Sequence, residues 1–328
     1  MVKMRIILLF LLVCNTSILL AQLVNQTDAK GLKQGVWKKN YDNSTQLRYE
    51  GQFKNNEPVG VFTYYGRNGK ITANVEHFSA GVSYVRNFHG NGKTSSEGKY
   101  INQKKDSVWN FYDEKGKLLS TETYSNDLKN GLSKIYFENG QPSRIQEFKL
   151  GQAHGRAVNY NENGTVQSED SYINGQLNGE SKVYGTGNNL LQKGNYVNNR
   201  REGEWLVYNE EGSLRSNTTY KNDFAVKTSR INGEFDEFFD NELLKARYSY
   251  KEGKLNGNFV EYHDGGTWAY TEKVDPRSEE KEVYRVSQNH FVKRKGAYQN
   301  GQLHGRVEEY GLHGELENVT NYINGKAQ

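Results

Sequence analysis

Residues 203–226 read GEWLVYNEEGSLRSNTTYKNDFAV, and this pattern recurs through most of the chain. Gly131, Gly155, Gly179 and Gly203 stand 24 residues apart three times in succession. Counted from each glycine as position zero, an aromatic falls at +5 (Tyr136, Tyr160, Tyr184, Tyr208) and another at +17 (Phe148, Tyr172, Tyr196, Tyr220). A glycine at +9, as Gly140, Gly164 and Gly212, follows Asn or Glu. Asn-Gly is the strongest short-range hairpin signal, because both residues accept positive φ. A second turn comes near +20, at Gly151 and Gly175, with Asn199 and Asp223 where glycine is absent. A period of this length marks a repeat architecture in which each unit runs strand, turn, strand, turn.

The pattern extends in both directions. Ser107 opens a unit with Trp109, Tyr112 and Tyr124; Ser83, Gly60 and Gly35 with Trp37 open earlier ones; Gly233, Gly257 and Gly305 open later ones. The interval from Gly257 to Gly305 is two periods, with Tyr298 marking a degenerate unit between them, so about twelve copies are expected over residues 35–326. Residues 22–34 form a linker ahead of the array. The step from Gly203 to Gly233 is 30, which places an insertion around 223–232, and residues 264–290 depart furthest from the template. The expected fold is all-β: an elongated array of antiparallel hairpins in a single twisted sheet.

A lone hairpin is marginal in water, so neighbouring units must cover its aromatic face. Tyr112, Tyr136, Tyr160, Tyr184 and Tyr208, with Tyr124, Phe148, Tyr172, Tyr196 and Tyr220, are expected to pack the repeats together. Trp37, Trp109, Trp205 and Trp268 are the expected binding surface, since tryptophan is enriched at interfaces. Positions +2 and +5 have opposite parity, so either a bulge separates them or both faces carry aromatics.

Only 34% of residues are hydrophobic, yet 23 Tyr, 14 Phe and 34 Gly favour ordered β structure over disorder. Lys3 and Arg5 precede an apolar run from Ile6 to Leu20, which reads as a secretory signal peptide over residues 1–21, cleaved after Ala21. Lipidation at Cys14 is the minor alternative. Cleavage would leave a chain with no cysteine, an extracytoplasmic location, no membrane-spanning segment, and a formal charge reduced from +4 by the loss of Lys3 and Arg5. The remaining charges are interspersed, which argues against nucleic acid as a partner. The histidines lack metal-ligand spacing, and nothing points to a catalytic or cofactor-binding residue.

The combination G-x-W-x-x-Y, then G-x-L, then Tyr, in Gly203, Trp205, Tyr208, Gly212, Leu214 and Tyr220, resembles the MORN repeat. In particular it resembles the bacterial variant known as the YwqK-family antitoxin repeat, from about Gly35 to Gly325. The resemblance implies a hairpin meander associated with protein scaffolding and with membrane lipids, and the antitoxin label implies capture of a toxin protein. The expected function is therefore an exported scaffold for a protein partner. Binding of envelope glycan or lipid through exposed aromatics is the alternative. An enzyme built from Asp275, Glu279, Glu280 and His290 in the irregular 264–290 segment is the third.

Overall fold

The computed structural model describes residues 23–79, 81–274 and 281–328. The expected signal peptide, and Asp275, Pro276, Glu279 and Glu280, lie outside the described residues. The chain divides into two bodies at Leu128. In the first, strands from Lys33–Asn40 to Leu118–Ser125 each pair antiparallel with the next. In the second, the same meander runs from Leu128–Tyr136 to Phe224–Arg230. A separate sheet then begins at Gly233–Phe238 and ends at Lys326–Ala327, and Thr267–Val274 with Lys281–Gln288 forms a two-stranded ribbon of its own.

The hairpin array expected from the period is thus present, while the second body is not one unbroken sheet. Hairpins open at Gly35, Gly60, Ser83, Ser107, Gly131, Gly155, Gly179, Gly203, Gly233, Gly257 and Gly305, which makes eleven among the described residues. The interval expected to hold a degenerate twelfth copy is filled differently. Lys254–Tyr262 pairs directly with Val292–Gln299, Gly257 facing Tyr298, and the ribbon is inserted where the intervening turn would be.

One hairpin shows why the sequence folds as it does. Arg200–Tyr208 leads into a turn in which the Gly212 amide donates to the Asn209 carbonyl at 2.9 Å. Leu214–Lys221 returns, and Asn222 and Asp223 (φ 51° and 70°) reverse the chain again. Val207 faces Ser216 and Tyr208 faces Leu214, so Arg215 is a bulge residue on the second strand. The bulge lies on the partner strand, so Trp205 and Tyr208 keep opposite parity and both faces carry aromatics.

A second irregularity builds the core. Between consecutive units, Lys193 faces Leu206 and Asn195 faces Glu202, which sets the single residue Gly194 against residues 203–205. Gly203 adopts φ 72° there, a left-handed conformation that glycine takes without steric cost, and Trp205 drops across the neighbouring strand. A Cβ built on Gly194 would overlap the Trp205 ring, and the same holds for Gly98 under Trp109 and Gly51 under Phe62. Trp205 and Trp109 are 4% and 1% exposed, and their indole nitrogens donate to Asn195 O at 3.2 Å and Lys99 O at 3.1 Å.

Where position +2 is small, the residue across from it is polar in place of glycine. Ala157 is fully buried against Gln146, and Ser181 donates to Asp170 Oδ1 at 2.7 Å. Turn asparagines brace successive units, Asn139 Nδ2 donating to Glu162 O at 2.8 Å and Asn189 Nδ2 to Glu210 O at 2.9 Å.

Gly194→Ala is expected to destabilise the protein by about 1–3 kcal/mol, because the indole has nowhere to retreat. Trp205→Ala should cost about 3–5 kcal/mol. In a Trp205→Ser background, which copies the Ser181 arrangement, Gly194→Ala should cost well under half as much. Denaturant melts of the single and double variants check this, and additive costs would refute the socket.

Candidate functional site

The structure separates the four tryptophans that the sequence groups together. Trp109 and Trp205 are core residues, a correction that follows from the glycine sockets beneath them. Trp37 is half-buried in the first hairpin, edge-on to Phe53 with ring centroids 5.8 Å apart and under Lys33 Nζ at 4.8 Å. Trp268 alone of the four is exposed, at 37%.

The ten residues expected to pack repeats together are all half-buried. Those at +17 share the tryptophan face: Tyr196 and Tyr220 flank Trp205 edge-on at 5.0 and 6.3 Å. Those at +5 serve the other face, where Tyr112 donates to Glu97 Oε1 at 2.8 Å and Arg86 Nε reaches the same carboxylate at 2.9 Å. Tyr65, Glu50 and Lys38 repeat the motif at 2.6 and 3.0 Å.

These contacts move the titrations. The Tyr65 hydrogen bond, helped by Lys38, holds Glu50 below the usual carboxylate range. Burial pushes Glu97 up, but the hydrogen bonds from Tyr112 and Arg86 outweigh it and the net direction is down. Tyr65 is pushed up to about 12 by its bond to Glu50 and by burial. Tyr112 is pushed up to about 12 by burial and its bond to Glu97. Every charge in the motif is engaged by a neighbour, so this face reads as structural.

A groove of about 480 Å³ among the described residues is also internally neutralised. Arg247 is held by Asp236 through two bonds of 2.6 and 2.8 Å, and Lys295 and Arg306 both pair with Glu308 at 3.0 and 2.8 Å.

The ribbon is different. Its two strands run antiparallel through eight facing pairs, from Thr267 opposite Gln288 to Val274 opposite Lys281. Its base is fixed. Leu243 is 2% exposed beneath Gly266, and Asn241 Nδ2 donates to Gly266 O at 2.9 Å. Trp268 Nε1 donates to Asn241 O at 2.8 Å, with the Arg285 guanidinium 4.2 Å over the Trp268 ring. His290 stacks on Tyr262 at 4.3 Å and donates from Nε2 to Leu244 O at 2.6 Å.

Farther out, Tyr270, Val283 and Tyr284 are 74, 60 and 43% exposed. Sequence reasoning singled out Trp268 and the segment but missed these three. The signal was the alternation of Trp268, Tyr270 and Glu272 on one strand, which share a face with Val283 and Arg285 on the other, while Tyr284 stands on the opposite face. Of the residues considered for catalysis, His290 is engaged at the ribbon base. No group of three or more potential metal ligands comes together among the described residues, and no described helix is long and apolar enough to cross a membrane.

The MORN repeat variant matches four segments: 105–126, 129–150, 153–174 and 201–222. The all-β hairpin array is similar to a MORN-type array, and the repeat matched in these four segments suggests a scaffold for protein or lipid interaction. No curated protein matches the sequence. Three solved structures show slight likeness. One is a mutant of S. aureus TarM in complex with fondaparinux, alpha-GlcNAc-glycerol and UDP (14% identity, 43% of this chain and 21% of that one, TM-score 0.20). Another is a porin-like protein from Bacteroides uniformis (10%, 78% and 95%, TM-score 0.18). The third is the Photorhabdus luminescens Tc holotoxin pore (12%, 87% and 19%, TM-score 0.15). The chain spans about a fifth of the length of the first.

The tyrosine–carboxylate pairs make stability pH-dependent at both ends. A lowered carboxylate pKa stabilises above the unfolded value, and that contribution is lost as pH falls through the folded value, below the ordinary 4.5 of Glu50 and Glu97. A raised tyrosine pKa stabilises below the unfolded 10, and is lost as pH rises through about 12. Tyr65→Phe with Tyr112→Phe should cost about 1 kcal/mol or less per site near neutrality. Both limbs of a thermal-midpoint-against-pH curve should become shallower; limbs of unchanged slope would show that the pairs contribute nothing.

Proposed function

We propose that this chain is an exported, non-catalytic repeat scaffold that binds a protein partner through the ribbon. The observation that carries the reading is the exposure of Tyr270 and Val283 on one face and Tyr284 on the other face of a strand pair whose base is held by Trp268, Asn241 and Arg285. A two-stranded ribbon gains little from burial within itself, so its apolar side chains are stabilised best by a second surface. Tyrosine is enriched where such surfaces meet, because it offers a large contact area and a hydroxyl at low entropic cost. Export is supported by Lys3, Arg5 and the apolar run that follows. Capture of a toxin, as the antitoxin label of the resembling repeat implies, would be one instance of such binding.

Affinity capture with the chain from Gln22 onward, in parallel with a Tyr270→Ser, Tyr284→Ser variant, tests the reading. The expected result is one stoichiometric protein on the parent chain, recovered at least about tenfold less well on the variant, with the thermal midpoints equal. Equal recovery on both chains would remove the ribbon from the interface. Retention of glycan or liposomes alone would favour envelope binding in place of a protein partner.

A further inference from the structure

In the regular step between hairpins, the residue at +13 faces the residue at +4 of the next unit, as Gln192 faces Val207. The strand Phe224–Arg230 breaks that rule. Ser216 faces Arg230, which lies three residues before Gly233, and Asn217, Thr218 and Thr219 face Ser229, Thr228 and Lys227. The inserted residues therefore occupy the edge that Gly233–Phe238 would otherwise use. Ile231 and Asn232 separate the two strands, their amides donating to the Arg215 carbonyl at 2.8 and 3.1 Å. Gly233–Phe238 pairs on its far side with Leu244–Lys251, and its Glu234 carbonyl accepts Arg215 Nη2 at 2.7 Å.

Phe224–Arg230 is left with Leu214–Lys221 on one side and, among the described residues, no registered strand on the other. A seven-residue edge of this kind is a template for further pairing. Phe224 and Val226 are 78 and 65% exposed along it. Lys227 sits at its middle, exposed and without an ion pair among the described residues. Lysine in mid-edge disfavours pairing with a second copy of the same strand, since the two ammonium groups would meet. The same charge favours a strand that brings a carboxylate.

We propose that the outer edge of Phe224–Arg230 is a strand-addition site for an extended segment of a partner protein, bearing apolar side chains and an acidic residue set against Lys227. The site goes beyond the ribbon reading: it is a different surface with a different recognition chemistry, and does not depend on Tyr270 or Tyr284.

The full chain is titrated with a capped seven-residue peptide of alternating valine and threonine carrying a central glutamate, and with its central-lysine counterpart. Binding is read by fluorescence anisotropy and by amide hydrogen exchange. The glutamate peptide should bind about tenfold more tightly than the lysine peptide and should slow exchange along Phe224–Arg230. Lys227→Glu should reverse the preference, while the Tyr270→Ser, Tyr284→Ser variant should bind as the parent does. Absence of binding, protection elsewhere in the chain, or a preference indifferent to Lys227→Glu would each overturn the site. None of these results bears on whether the ribbon binds its partner.

Discussion

An indole can lie flat on a neighbouring strand only where that strand has no side chain, and this constraint organises the array. Trp205 over Gly194, Trp109 over Gly98 and Phe62 over Gly51 are the same interlock repeated. Each needs two glycine-like features. One residue without a Cβ makes the socket, and one left-handed residue, Gly203 at φ 72° or Ser107 at φ 60°, lets the aromatic swing across it. The residue at +2 is consequently the core of a single-layer sheet. Burial falls steeply away from it, which is how a chain of mean hydropathy −0.91 can still close a core.

The rest of the hairpin is held by directional contacts rather than by apolar volume. On the tryptophan face, cations cap the rings, as Lys105 does over Trp109 at 4.6 Å. On the opposite face, tyrosine hydroxyls and basic side chains converge on glutamates such as Glu97. Asparagines at the turns donate to the next turn's carbonyls, satisfying backbone acceptors that would otherwise face water. Where the socket is absent, Gln146 and Asp170 fill the space beside Ala157 and Ser181 with hydrogen-bonding atoms. The column therefore holds both an apolar and a polar solution to one packing problem.

Two insertions show that position within a hairpin decides what an added segment does. The ribbon is inserted at a turn, and the flanking strands still pair, Gly257 with Tyr298, so the ladder is undisturbed and an arm projects from it. The residues added around 223–232 lie within a strand. There each extra residue shifts the register, so the bonds of Leu214–Lys221 are consumed by Phe224–Arg230 and the sheet ends. One insertion creates exposed side chains and the other an exposed backbone edge. Both give a regular frame a surface that its repeats do not have.

The sequence by itself determined the 24-residue period, the hairpins and the positions of both turns, because glycine and asparagine at fixed spacing leave the backbone few alternatives. It also showed where the pattern is interrupted, in the segment that holds Trp268. It did not show which aromatics face water, since that depends on the strand across the sheet. Trp205 is buried because Gly194 stands opposite, and the pairing that brings them together is set by a bulge with no sequence mark beyond Gly203 itself. Gly98 and Gly194 each precede a tryptophan by the same spacing, but only the register gives that spacing a meaning. Only the tertiary structure decided that the segment expected as a twelfth repeat is an inserted ribbon. A strand's role is fixed by the partner that receives its hydrogen bonds, and Lys254–Tyr262 pairs with Val292–Gln299 while the ribbon strands pair with each other.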